Sequence, residues 1–119
     1  MSFQVFRYTK MAGPHSNRFP AFTWEFYSEK GSDVLFFRFA RCNGVEAPDG
    51  DNFSKKRGRD EAAKKEWYEI EYDRSKPLVV NAIMHLVASK DHYEQEAGLE
   101  AAALIATNRI MESGVLLGE

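Results

Sequence analysis

Three consecutive segments decide the fold: Phe22-Thr23-Trp24-Glu25-Phe26-Tyr27, Lys30-Gly31-Ser32-Asp33 and Leu35-Phe36-Phe37-Arg38-Phe39-Ala40. In the first, Phe22, Trp24 and Phe26 alternate with Thr23, Glu25 and Tyr27. In the third, Leu35, Phe37 and Phe39 alternate with Phe36, Arg38 and Ala40. Apolar side chains at every second position of an aromatic-rich run mark half-buried antiparallel strands. The segment between them is of hairpin length and rich in turn formers. Upstream, Phe3, Val5 and Arg7 alternate with Gln4, Phe6 and Tyr8. Met11 to Pro20 holds Gly13, Pro14, Ser16, Asn17 and Pro20 and reads as a loop. A three-stranded meander results.

Downstream, Asn43 to Asn52 is turn chemistry: Asn43-Gly44, Pro48 and Asp49-Gly50. Ser54 is a good N-cap, and a helix is expected through Lys55, Lys56, Arg57, Arg59, Ala62, Ala63 and Lys65. Ala63, Trp67 and Ile70 would share a helical face. Tyr68, Ile70 and Tyr72 alternating with Glu69 and Glu71 fit a strand better, so residues 67–73 are expected to form a fourth strand. Ser75 is read as the cap of a second helix, with Pro77 in its first turn and Val79, Ile83, Leu86 and Val87 as its apolar stripe. Asp91 with Glu94 three residues on resembles a capping box opening the last helix. There Leu99, Ala103, Ala106 and Ile110 recur at helical spacing, Gly114 is the expected stop, and Val115, Leu116 and Leu117 form a short apolar tail. The expected architecture is a single α+β domain over residues 1–119. A three- to four-stranded antiparallel sheet, in the order β-β-β-α-(β)-α-α, carries its helices on one face.

The 119 residues suit one core. A hydrophobic share of 44% excludes a disordered tail, and no run approaches the roughly 18 apolar residues of a membrane span. Met1 to Lys10 lacks the layout of a secretory signal. A lone cysteine, Cys42, excludes an internal disulfide and a cysteine-based zinc cluster. A cytoplasmic location is expected. The net charge of −2 divides unevenly. Residues 1–59 hold ten Lys/Arg against six Asp/Glu, and residues 60–119 hold six against twelve. Such a chain can offer a basic patch to one partner and an acidic face to another, although helices commonly carry more Glu than strands.

Catalytic constellations are absent from the sequence pattern. His15, His85 and His92 never stand at i, i+4, so no helical zinc pair exists. His85, beside Met84, Leu86 and Val87, reads as a helix-flank residue. Glu46, Asp49 and Asp51 could gather round a hard cation, yet they lack the spacing of a calcium loop and are explained by turn chemistry. No nucleophile elbow, dinucleotide fingerprint or phosphate loop occurs. The expectation is a non-enzymatic protein with no cofactor and no metal. An enzyme using His15 with Glu46 or Asp49 is the third-ranked reading.

The most specific local feature is Asp51-Asn52-Phe53-Ser54-Lys55-Lys56-Arg57-Gly58-Arg59-Asp60-Glu61-Ala62-Ala63. A cationic first turn opposes the helix dipole, costing a few tenths of a kcal/mol per exposed cation. With the free N–H groups of a helix start it also attracts anions, unless Asp49, Asp51, Asp60 and Glu61 neutralise it. Gly58 in a helix costs roughly 1 kcal/mol relative to Ala, so close packing against the sheet is its expected reason. Lys55, Lys56, Arg57 and Arg59 are the candidate partner- or anion-binding residues. If helices cover the face bearing Phe22, Trp24, Phe26, Leu35, Phe37 and Phe39, the opposite face carries Phe6, Tyr8, Glu25, Tyr27, Phe36 and Arg38. Of these, Tyr8, Tyr27, Phe36 and Arg38 are candidate contacts for a protein or for stacked bases, unless a loop or a helix covers them.

The segment from Phe36 to Ala63, under a quarter of the chain, resembles a pattern in small uncharacterised tailed-bacteriophage proteins. These carry a strand followed by a Lys-Asp-x-Phe-Ser-Arg-Lys-x-Gly-Arg-like helix start. This chain departs from it in Gly50 before Asp51 and in the acidic pair Asp60 and Glu61. The resemblance implies a phage setting, and with it an accessory protein that binds and modulates a host factor in the bacterial cytoplasm. A host protein is the expected partner and nucleic acid the alternative. A homodimer is compatible with either, and no membrane is expected. The pI of about 5.9 speaks against phosphate-driven binding.

Overall fold

A computed structural model describes residues 2–13, 16–43 and 54–113. Strands β1 (Ser2–Thr9), β2 (Ala21–Glu29) and β3 (Val34–Cys42) precede helix α1 (Lys55–Ala62). Strand β4 (Tyr68–Glu71) and helices α2 (Leu78–Val87) and α3 (His92–Ser113) follow. The α+β class and the element order are those expected, with the fourth strand present. The sheet is wholly antiparallel in the order β1-β2-β3-β4. Trp24 pairs with Arg7 on one side and with Phe39 on the other. Leu35 pairs with Ile70.

The alternation places Phe22, Trp24, Phe26, Leu35, Phe37 and Phe39 on one face, where each is buried. Trp24 lies 5.2 Å from Phe39 and 5.6 Å from Phe22, centroid to centroid, and its indole N–H donates to Thr9 Oγ1 at 3.0 Å. Ala82, Ile83 and Leu86 of α2 and Ala97, Ala101 and Leu104 of α3 close this core. Val79 and Val87 pack partly against it, as the α2 stripe predicts.

Four details differ from the sequence reading. First, the helices divide between the faces: α2 and α3 cover the aromatic face, and α1 lies on the other, against β2 and β3. α1 buries only Ala62 and has no apolar stripe to add to a core. Second, α1 ends at Ala62 instead of reaching Lys65, because Arg38 takes the carbonyls of Ala63 and Lys65 at 3.0 and 3.2 Å. Third, Ser75 does not cap α2, whose N-cap is Pro77. The Ser75 hydroxyl and N–H both donate to Asp73 Oδ1, at 2.5 and 2.9 Å. The buried Asn81 serves the helix start instead, donating to the carbonyls of Asp73 and Pro77, both at 3.0 Å, and accepting from the Asp73 N–H.

Fourth, the expected α3 stripe faces outward: Leu99, Ala103, Ala106 and Ile110 are exposed, and Ala97, Gly98, Ala101 and Leu104 face the core. Small side chains let the two helices approach closely. A Cβ on Gly98 would stand 2.9 Å from Leu86 Cβ and from the Val87 backbone nitrogen. Both stripes are apolar at helical spacing, and only the inner one fits that close approach. Asp91 does cap α3, accepting from the Glu94 N–H at 2.9 Å. The return arm of the capping box is diverted: the Glu94 carboxylate accepts from Ser89 Oγ at 2.6 Å and from the Tyr68 hydroxyl at 2.8 Å. Burial, reinforced by that bond, pushes the Tyr68 hydroxyl pKa well above its ordinary value, so it remains a donor. His15, Glu46, Asp49, Asp51, Gly114 and Val115 to Leu117 lie outside the described residues.

Candidate functional site

Helix α1 is held by a cap, a notch and a clamp. Ser54 Oγ accepts from the Arg57 N–H at 3.3 Å, as its position predicts. Gly58 rests on Thr23, so closely that a Cβ there would lie 2.0 Å from Thr23 Oγ1. The close packing expected of this glycine is what the structure contains. That Thr23 hydroxyl oxygen is the buried side-chain polar atom without a hydrogen bond among the described residues. Arg38 forms the clamp. Its Nε donates to Glu25 Oε1 at 2.6 Å, its Nη1 donates to the carbonyls of Ala63 and Lys65 just past α1, and its guanidinium carbon stands 4.1 Å from the Trp67 ring centroid. Glu25 is only 2% exposed and also accepts from Gln4. Withdrawing a carboxylate from water is costly unless partners such as these replace its lost hydration.

These contacts sort the four cations. Arg59 turns inward: its Nη1 donates to the Tyr8 hydroxyl at 3.0 Å and its guanidinium carbon lies 5.9 Å from the Phe6 ring centroid. Lys55, Lys56 and Arg57 are exposed on the first turn. Lys55 Nζ stands 4.9 Å from the Tyr8 ring centroid, and Lys56 pairs with Asp60 at 3.2 Å. Both partners of that pair are largely solvated, so it neutralises little.

The sheet-face candidates separate likewise. Tyr8 and Arg38 are engaged by α1 and its C-terminal turn. Tyr27 and Phe36, half-buried, form a row with Trp67, with ring centroids 6.0 and 6.5 Å apart. The Tyr27 hydroxyl donates to Glu29, which raises its pKa.

A cavity of about 350 Å³ opens between α1 and the β2–β3 pair. Thr23, Arg41, Arg57, Glu61, Lys65 and Tyr93 are among the residues that line it. Arg41 is tied to Glu100 by two bonds, at 2.5 and 3.1 Å, which anchor the end of β3 to α3. Cys42 also lines the cavity and donates its thiol to the Asn43 carbonyl at 3.3 Å. Its lining is of mixed charge: Arg57 and Lys65 stand with the Glu61 carboxylate, and Arg41 is already paired with Glu100. Among the described residues no group of three metal-ligating side chains converges, and no helix is long and apolar enough to cross a membrane.

Sequence reasoning missed Trp67 as the plate under Arg38, Gln4 as the second partner of Glu25, and the Arg41–Glu100 tie. A signal for the Glu25–Arg38 pair existed, since a hairpin closed through Lys30 to Asp33 sets these two residues opposite. Arg41 and Glu100 are far apart in sequence, and no local pattern joins them. Compared with family models, with curated proteins and with solved structures, the chain matches none.

Proposed function

We propose that this chain is a non-enzymatic accessory protein of phage type that binds an acidic surface of a host protein and thereby modulates it. The observation that supports this reading best is the division of labour within α1. Arg59 docks the helix on Tyr8, and Lys55, Lys56 and Arg57 are exposed on its first turn. Three cations where the dipole disfavours them weaken the isolated helix. An acidic partner surface would complement both these exposed cations and the positive end of the helix.

The test is affinity capture from bacterial lysate with the wild-type chain and with the triple variant Lys55→Glu/Lys56→Glu/Arg57→Glu. A captured protein lost from the variant supports the reading. Capture of nothing, or equal capture by both, contradicts it. Arg59 is excluded from the variant because reversing it would also undock α1.

Nucleic-acid binding is the second reading, favoured by the Tyr27–Phe36–Trp67 row, which offers ring faces near a basic helix. Binding to a labelled single-stranded oligonucleotide must then weaken steeply as salt rises. No binding at low salt removes this reading.

A further inference from the structure

Strand β4 ends the sheet on one side, and the register shows which of its backbone groups stay open. The Tyr72 N–H donates to the Asp33 carbonyl at 2.8 Å, which makes Asp33 and Tyr72 a hydrogen-bonded pair one step beyond the Val34–Glu71 pair. Such pairs alternate in an antiparallel ladder. Tyr68 and Ile70 therefore direct their N–H and C=O groups to Phe37 and Leu35, and those of Glu69 and Glu71 face away from the sheet. Among the described residues no hydrogen bond reaches these outward groups. One step further the edge closes, where Asn81 pairs with both the N–H and the C=O of Asp73.

The side chains around this open stretch sort by face. Glu69 and Glu71 stand on the side away from the aromatic core, across from Phe36 and Val34, and both are exposed. On the core side a groove of about 300 Å³ runs between β4 and α2, with Ile70, Glu71, Asp73, Lys76, Met84 and His85 among its lining residues. Met84 is 54% exposed, and its flexible apolar side chain suits a surface that adapts to what it binds. The cations nearby are engaged. Lys76 pairs with Asp73 at 2.7 Å, and Arg74 is turned to Tyr72, Asp33 and the Ser32 carbonyl. Glu69 and Glu71 pair with no cation among the described residues.

We infer that the β4 edge is a docking surface for an extended segment of a partner protein in which basic and apolar residues alternate, added antiparallel as a fifth strand. Its backbone pairs with the outward N–H and C=O groups of Glu69 and Glu71. In strand addition of this kind main-chain bonds give affinity, and sites for alternate side chains give selectivity. Lysine or arginine opposite Glu69 and Glu71 supplies the cations these carboxylates lack. The residue between them falls opposite Ile70 and enters the groove beside Met84. The same carboxylates reject a second copy, since β4 against β4 sets glutamate against glutamate, an arrangement that destabilises a sheet. Short length and charge keep an edge from pairing with its own kind, and here they leave it to a strand of opposite sign. The surface is thus the acidic counterpart of the first turn of α1.

The test measures backbone amide exchange on the full chain with three short peptides, each raised to millimolar concentration. One alternates lysine and valine, one alternates glutamate and valine, and the third is the lysine–valine peptide N-methylated at its lysine backbone nitrogens. With the first, the Glu69 and Glu71 amides should gain at least about tenfold protection, as amides entering hydrogen bonds do. The other two should leave both amides unchanged. Glu69→Lys/Glu71→Lys should invert the preference, so that the glutamate–valine peptide protects positions 69 and 71 and the lysine–valine peptide does not. Unprotected amides in the wild-type chain with the lysine–valine peptide overturn the inference. Equal protection by the N-methylated peptide also overturns it, because charge attraction would then act without strand addition. A preference that survives the charge reversal overturns it as well. The comparison of the three peptides on the wild-type chain decides alone if the double variant fails to fold.

Discussion

Gly58 shows how one residue fixes where an element sits. Alanine is the better helix former by about 1 kcal/mol. Yet a methyl group at position 58 would overlap Thr23 Oγ1 and crowd Thr23 Cβ at 2.9 Å. Gly58→Ala is therefore expected to destabilise by about 1–3 kcal/mol in denaturant unfolding. Adding Thr23→Ala should recover part of that loss, and an unchanged or raised stability of the single variant would refute the notch. Asp73 gives a pH-dependent prediction. Bonds from Lys76 and Ser75 hold its carboxylate at about 2, below the ordinary 3.8. A carboxylate whose folded value is depressed contributes stability above its unfolded value, and that contribution fades as pH falls through the folded one. Wild type should thus exceed Asp73→Asn in stability at neutral pH, with the difference shrinking between about pH 4 and pH 2. Gly58 could be read in the sequence, because a glycine in a helix needs a reason. The Asp73 network could not, because Ser75 before a proline looks like a helix cap whichever way its hydroxyl turns.

At the scale of the element, α1 differs from α2 and α3 in what holds it. It has no apolar stripe and buries one alanine, so polar contacts carry its position. Arg38 is the centre of these, joining Glu25, two carbonyls and Trp67. Arg38→Met leaves Glu25 buried without its cation and is expected to cost about 3–5 kcal/mol. Glu25→Gln in the same chain should restore much of the global stability. Amide exchange through α1 should be faster than in wild type in both variants, because the carbonyls of Ala63 and Lys65 that close its end have lost their donor. Slow exchange there would show that the clamp is not what holds the helix. Strands β1 to β3 were legible because period-2 aromatic runs have one reading; β4 was less so, because Ala63, Trp67 and Ile70 also fit one helical face. The facing of α3 was not, because its apolar residues recur on two opposite sides. The fit of Gly98 against Leu86 and Val87, a tertiary fact, chose between them. The side of the sheet that α1 occupies was hidden for a similar reason. A helix without an apolar stripe carries no hydrophobic pattern that names its face.

Across the whole molecule, the aromatic content and the charge split acquire separate tasks. One face of the sheet is closed by α2 and α3 over packed rings. The other is covered by a polar helix whose own aromatic contacts, Phe6 and Tyr8, carry cations. Of the four basic candidates, three remain on the surface and one became a fastening, a distinction that charge and spacing alone do not contain. The central claim is that the first turn of α1 is a binding surface independent of the fold. Replacing its cations by glutamates aligns charge with the helix dipole, which partly offsets the lost Lys56–Asp60 pair and Lys55–Tyr8 cation–π contact, so stability should fall by no more than about 1–2 kcal/mol. The deciding measurement is the affinity of a captured host protein for wild type and for Lys55→Glu/Lys56→Glu/Arg57→Glu, each shown folded by circular dichroism. A folded variant that binds at least about a hundredfold more weakly is the predicted result. Equal affinity in a folded variant would contradict the claim.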